Sequence, residues 1–127
     1  MRLDPYLSFA GYAFSLRPDD LLKQRGTPLQ AGRNEVGLNE MDYGDVVLRF
    51  QDSGRLEEIT ARSPVLQMGA LAVPFDQLQP FVLAQDATAF WRARFLVSPA
   101  LGLAFDPTEP AWITALAKHC LPEWEQL

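Results

Sequence analysis

Cysteine and histidine are almost missing from this chain: its 127 residues hold one of each, Cys120 and His119. A single cysteine closes no internal disulfide, so nothing points to an oxidising compartment. Zinc takes three or four ligands from Cys, His or carboxylate, and one of each leaves only an atypical, carboxylate-rich site. The two residues are adjacent, which puts their side chains on opposite faces of a strand or ~100° apart on a helix. They form no nucleophile–base pair with each other. The glycines are single and scattered, so neither a phosphate-cradling loop nor a dinucleotide fingerprint is present. Asp42-Tyr43-Gly44-Asp45 and Asp52-Ser53-Gly54 are too short for a calcium loop and read as Asp–Gly turns. No cofactor and no metal is expected. No stretch approaches ~18 consecutive apolar residues, so no membrane span is expected. The start, Met1-Arg2-Leu3-Asp4-Pro5, lacks a signal-peptide pattern, and the cytoplasm is the expected location.

Positive charge is also scarce. Eleven Lys and Arg stand against sixteen Asp and Glu, a net charge of −5. Phosphate binding needs a basic patch, so nucleic acid is not expected as a direct ligand. The balance suits a basic protein partner, and it equally suits plain solubility. A hydrophobic fraction of 48% with 21% charged residues is ordinary for a globular protein. The length fits a single domain over residues 1–127, able to bury about two-thirds of its unfolded surface without disulfides.

Along the chain, 6–14 (YLSFAGYAF) reads as a strand marked at Gly11 by a bulge or a close backbone approach. Arg17 to Gly26 reads as a short helix. Pro18 suits its first position, Asp19 and Asp20 its positive end, Lys23 and Arg25 its negative end, and Gly26 with Pro28 its stop. Residues 33–41 suggest a polar, irregular strand. Val46–Phe50 and Arg55–Thr60 form a hairpin closed by Gly54, in a register that sets Phe50 against Leu56, Val47 against Ile59 and Arg49 against Glu57. Residues 65–73 read as one strand or two short ones interrupted at Gly69. Residues 75 to about 90 follow helical spacing, with Asp76 as the cap and Pro80 near the first turn. Strands follow at 93–97 and 101–105. Residues 111–118 fit either a helix or a strand, and the tight Pro-rich connection before them favours the strand. Residues 122–127 suggest a terminal helix or tail. This order predicts an α+β fold: a twisted antiparallel sheet with two or three helices packed on one face.

The acids are concentrated. Seven lie between residues 33 and 58, against three arginines, so this segment carries −4 of the net −5. A charged sheet edge, a paired-carboxylate catalytic site and a surface that steers a basic partner all fit that pattern. Glu57 has Arg49 as its expected mate. Glu40, Asp42, Asp45 and Glu58 have no evident local mate, which makes them the candidate partner-contacting residues. Trp124, in Pro-Glu-Trp-Glu near the end, joins them as the tryptophan expected to be partly exposed. No catalytic residue is expected.

Two resemblances add to this. Residues 15–28 (SLRPDDLLKQRGTP), then Asp42-Tyr43-Gly44 and residues 47–56 (VLRFQDSGRL), are similar to the helix–Gly-x-Pro–tyrosine–hairpin pattern of small modules related to the β-lactamase-inhibitor protein and outer-membrane assembly lipoproteins. In size, acidity and layout the chain resembles the cytoplasmic immunity proteins that accompany bacterial polymorphic toxins. That second resemblance implies a protein that binds and neutralises a toxin domain, a nuclease among the options, and it transfers no site residue. A small adaptor or regulatory protein is the alternative, and a small enzyme using paired carboxylates a further one.

Overall fold

The structure, a computed structural model, describes residues 1–126. It opens with β1 (Leu3–Asp4), β2 (Ser8–Phe9) and β3 (Tyr12–Ala13), a small antiparallel sheet, followed by helix α1 (Pro18–Arg25). Then come β4 (Gln30–Arg33), β5 (Asn39–Asp42), β6 (Val46–Phe50) and β7 (Leu56–Arg62), a meander of successive antiparallel neighbours. A hairpin of β8 (Val65–Met68) and β9 (Leu71–Pro74) leads into α2 (Phe75–Gln85). A second meander, β10 (Phe90–Arg92), β11 (Phe95–Ser98), β12 (Leu103–Phe105) and β13 (Trp112–Leu116), precedes a 3-10 turn (Lys118–Cys120) and α3 (Leu121–Gln126). The two meanders join along one seam, β13 against β7, giving an eight-stranded antiparallel sheet in the order β10-β11-β12-β13-β7-β6-β5-β4. The expected α+β class with a twisted antiparallel sheet is therefore observed.

Alternation along the strands assigns the two faces. Val46, Leu48 and Phe50 of β6, Ile59 and Ala61 of β7, and Ile113 and Ala115 of β13 point to one side and form the main core. That face is covered by Leu21 of α1, Leu78 and Val82 of α2, Leu3 and Phe9 of the small sheet, and Leu66, Met68 and Val73 of the β8–β9 hairpin. On the opposite face Val97, Ala104 and Leu116 meet Ala117, Cys120, Leu121 and Trp124 of the C-terminal segment in a second, smaller cluster. Two helices thus share the main face, and the third lies on the other.

Local chemistry explains several boundaries. The Arg17 backbone N–H donates to Asp20 Oδ2 (3.2 Å), and Gly26, at φ 75°, closes α1 by donating to Leu22 O (2.8 Å). The expected strand at 6–14 is instead the β2–β3 hairpin, with Gly11 at φ 86° in its turn. The polar strand expected at 33–41 is instead the turn and parts of two strands, β4 at the sheet edge and β5 beside it, folded back on each other. The helix expected to reach residue 90 stops at Gln85, and Phe90 begins β10. Its N-cap is Pro74, not Asp76, and Pro80 sits mid-helix, where the exposed side of α2 lets water satisfy the carbonyl it leaves unpaired. Residues 112–116 are a strand. The expected terminal helix is found at Leu121–Gln126, and Leu127 lies outside the described residues.

The hairpin register differs from the expected one. Phe50 does face Leu56, but a bulge then shifts the pairing: Arg49 faces Glu58, Leu48 faces Ile59 and Val47 faces Thr60. Leu56 and Ile59 are three residues apart, so an unbroken strand would send them to opposite faces. Taking Glu57 out of the ladder lets both enter the core.

Candidate functional site

The bulge at Glu57 sets up the polar face of the sheet. It brings Glu58 beside Arg49, which the regular β5–β6 register sets beside Glu40 of β5. The Arg49 guanidinium donates to Glu40 Oε2 (2.6 Å), to Thr60 Oγ1 (2.7 Å) and, more weakly, to Glu58 Oε1 (3.4 Å). The Thr60 and Thr114 hydroxyls share a hydrogen bond of 2.7 Å across the seam. The Trp124 indole N–H donates to Glu58 Oε2 (3.0 Å), pinning α3 to the sheet. One polar chain therefore runs from Glu40 on β5 to Trp124 on α3. Burial pushes the Glu58 carboxyl up, against the pull of the Arg49 charge and the Trp124 N–H.

These contacts correct the expectation that the acids lack local mates. Glu40 and Glu58 share Arg49. Asp45 lies off this face, in the loop before β6, bound by both terminal nitrogens of Arg25 (3.3 and 2.8 Å), which hold its carboxyl below the usual range. Asp42 is on the polar face, facing Val47, and caps its own turn by accepting from Gly44 N–H (2.8 Å). Of the five predicted residues, Glu40, Asp42, Glu58 and Trp124 share a face, and Asp45 does not. Trp124 is half-buried, one edge packed at right angles to Phe95 with ring centroids 5.5 Å apart.

Glu57, displaced by the bulge, is 1% exposed. Its nearest basic side chains are His119, with Nε2 2.8 Å from Oε2, and Arg55, with Nε 3.4 Å from Oε1. Neither contact has the alignment of a hydrogen bond, so both carboxylate oxygens stay without a hydrogen-bonding partner. His119 does have an acidic neighbour, which adjacency to Cys120 could not reveal. Cys120 is buried, and desolvation together with Glu58, Glu57 and Glu123 pushes its thiol far up, so it holds its proton at neutral pH.

Beyond Arg49 the polar face stays open. A cavity of about 200 Å³ is lined by Arg49, Thr60 and Thr114 at its floor, by the aromatic rings of Phe95 and Trp112, and by Asp106 and Glu109. The Asp106 carboxyl is held below its usual range by the Thr108 hydroxyl and backbone N–H. Phe95, Asp106 and Glu109 have no place in the sequence reading of the site, which among the tryptophans favours Trp124 over Trp112. The alternation of Trp112-Ile113-Thr114-Ala115 does mark Trp112 as facing away from Ile113, but nothing local ties it to Arg49.

Among the described residues no group of three or more His, Cys, Asp and Glu side chains could hold a metal ion, and no helix is long and apolar enough to cross a membrane. Compared with known proteins, the chain matches no family model, no curated protein and no solved structure.

Proposed function

We propose that this chain is a non-catalytic binding protein whose open sheet face docks a basic protein partner, and that the partner is a toxin domain it neutralises, as an immunity protein does. The observation that carries the reading is that face. On the side opposite the main core the C-terminal segment covers Val97, Ala104 and Leu116, and the part of the sheet around Arg49, Thr60 and Thr114 stays uncovered. There it presents Trp112 and Phe95 beside Asp106 and Glu109, with Asp42 further along the same face on β5, a pairing of aromatic anchors and negative charge suited to a cationic surface. A nuclease toxin, basic around its nucleic-acid groove, is a natural occupant. The protonated, buried Cys120 supports a non-catalytic role. The paired-carboxylate enzyme is less well supported, because Glu40 and Glu58 are bridged by Arg49 instead of facing each other across a cleft.

The protein encoded next to this gene supplies the test. Its expression alone should arrest growth, and co-expression of this chain should restore it. With the purified pair, Asp42→Lys combined with Glu109→Lys should slow association by ~10-fold or more at low ionic strength, and the effect should shrink with added salt. Asp45→Lys, off the face, should change association by less than about 2-fold. An association rate insensitive to the double substitution at both salt concentrations would return the face to plain solvation.

A further inference from the structure

We infer that the cavity between β11, β13 and the 106–111 segment is a receptor for an arginine side chain presented by the protein partner; this deepens the docking reading above and rests on it. Its volume of about 200 Å³ suits one long side chain, not a whole peptide segment. The walls are the rings of Trp112, half-buried, and Phe95, 36% exposed, so both keep part of their surface free. A ring face attracts a cation, and a planar, weakly hydrated guanidinium stacks on it better than an ammonium does.

The charges around the cavity favour a cation as well. Glu109 is exposed at the mouth. Asp106 takes both Thr108 bonds on Oδ1, which leaves Oδ2 to accept from an incoming donor. Arg49, in the floor, is already held between Glu40 and Glu58, and Arg94 lies near Asp106 at the rim. Arg62, across from Trp112 on β7, is a third guanidinium nearby, so four carboxylates, two of them lining the cavity, stand against three guanidinium groups, one of them held by Glu40 and Glu58. An arriving arginine completes the set: its fork meets Asp106 and Glu109 while its plane lies against the aromatic walls.

The test uses the intact chain and N-acetyl-arginine amide, followed by NMR shifts of the tryptophan indoles and backbone amides. Saturable shifts centred on Trp112, Phe95 and Thr114 are expected, with a millimolar dissociation constant. The citrulline analogue, equal in shape but uncharged, should bind ~10-fold more weakly, and the lysine analogue should fall between them. Glu109→Gln, at an exposed position, should weaken arginine binding ~5-fold with the fold unchanged, and Trp112→Leu should remove it. Shifts confined to other surfaces, or equal binding of arginine and citrulline, would overturn the inference. If a basic partner docks on the face while the arginine probe avoids the cavity, the inference fails and the docking reading stands. If the probe fills the cavity and no basic protein docks, the receptor is real and the docking reading fails.

Discussion

Arg49→Ala should lower the thermal midpoint by roughly 6–15 °C, about 2–3 kcal/mol for a domain of this size. Arg49 is 19% exposed and holds Glu58, at 14%, and Glu40, at 33%, so its removal strands one nearly buried carboxylate and one half-buried one. It also takes away the donor to Thr60 Oγ1 and so loosens the Thr60–Thr114 bond across the seam. Breaking a fully buried pair costs about 3–5 kcal/mol, and the partial exposure here brings the figure down. Arg49→Lys should recover less than half of the loss, because an ammonium cannot reach Glu40, Glu58 and Thr60 in one plane. Arg49→Met with Glu58→Gln should recover more than half, because it removes the more buried of the two stranded charges and leaves only Glu40, which is 33% exposed. Thermal and denaturant unfolding measure all three. A loss within about 0.5 kcal/mol for Arg49→Ala would mean that this chain of contacts adds nothing to stability.

Asp86→Ala should be comparably damaging, at about 2–4 kcal/mol, for a different reason. Asp86 follows the last residue of α2 and is 5% exposed. Its Oδ1 accepts from the Thr88 backbone N–H (2.8 Å) and hydroxyl, and its Oδ2 accepts from Ser98 Oγ (2.7 Å) and Ala100 N–H (3.0 Å). Without the carboxylate, the fully buried Ser98 hydroxyl and the Ala100 N–H lose their acceptor, and α2 loses its tie to the β11–β12 connection. Burial alone would raise the Asp86 carboxyl, but the bonds from Thr88, Ser98 and Ala100 outweigh it and hold it below its ordinary value. A folded-state value below the unfolded one means that the charged group stabilises the protein fully above the unfolded value, near pH ~4, and that this contribution disappears as pH falls through the folded value. The stability gap between wild type and Asp86→Asn should therefore be flat from pH 8 to about 5 and narrow below about 4. A gap that stays constant down to pH ~3 would show that the carboxylate charge is not what the site uses.

The parts of this fold that the sequence made legible are those whose cause is local. Helix α1 carries its own stop in Gly26 and Pro28, the β6–β7 hairpin its own turn in Gly54 at φ 88°, and the β8–β9 hairpin its break at Gly69. The shifted register has a visible cause in the sequence. Arg49 opposite Glu57 satisfies charge, yet Leu56 and Ile59 can both be buried only if a residue between them leaves the ladder. The site was less legible because its contacts span the chain. Arg49 could be paired by charge to several acids, and only the neighbour order β5-β6-β7 selects Glu40 and Glu58. Thr60 meets Thr114, and Phe95 meets Trp124, because the second meander returns to β7, which no local spacing announces. Clustering of acids marks the β5–β7 region, but it does not show that most of those charges are answered by arginines, that Asp45 lies off the polar face, or that the open portion lies further along, at Trp112 and Glu109.

The single seam between β7 and β13 has a consequence for folding. Every other neighbour in the large sheet is joined by a short connection, so each meander forms from nearby residues, whereas Arg62 must find Trp112, and Glu58 must find Leu116, across the whole 63–111 interval. Long-range pairing of this kind forms late. Until it does, β7 and β13 each present an unpaired edge to solvent, and either can be completed by the matching strand of another molecule. At high protein concentration the chain should therefore refold in part as a domain-swapped dimer that exchanges its β10–β13 half, with the same strand neighbours as the monomer and a crossover at the segment that links α2 to β10.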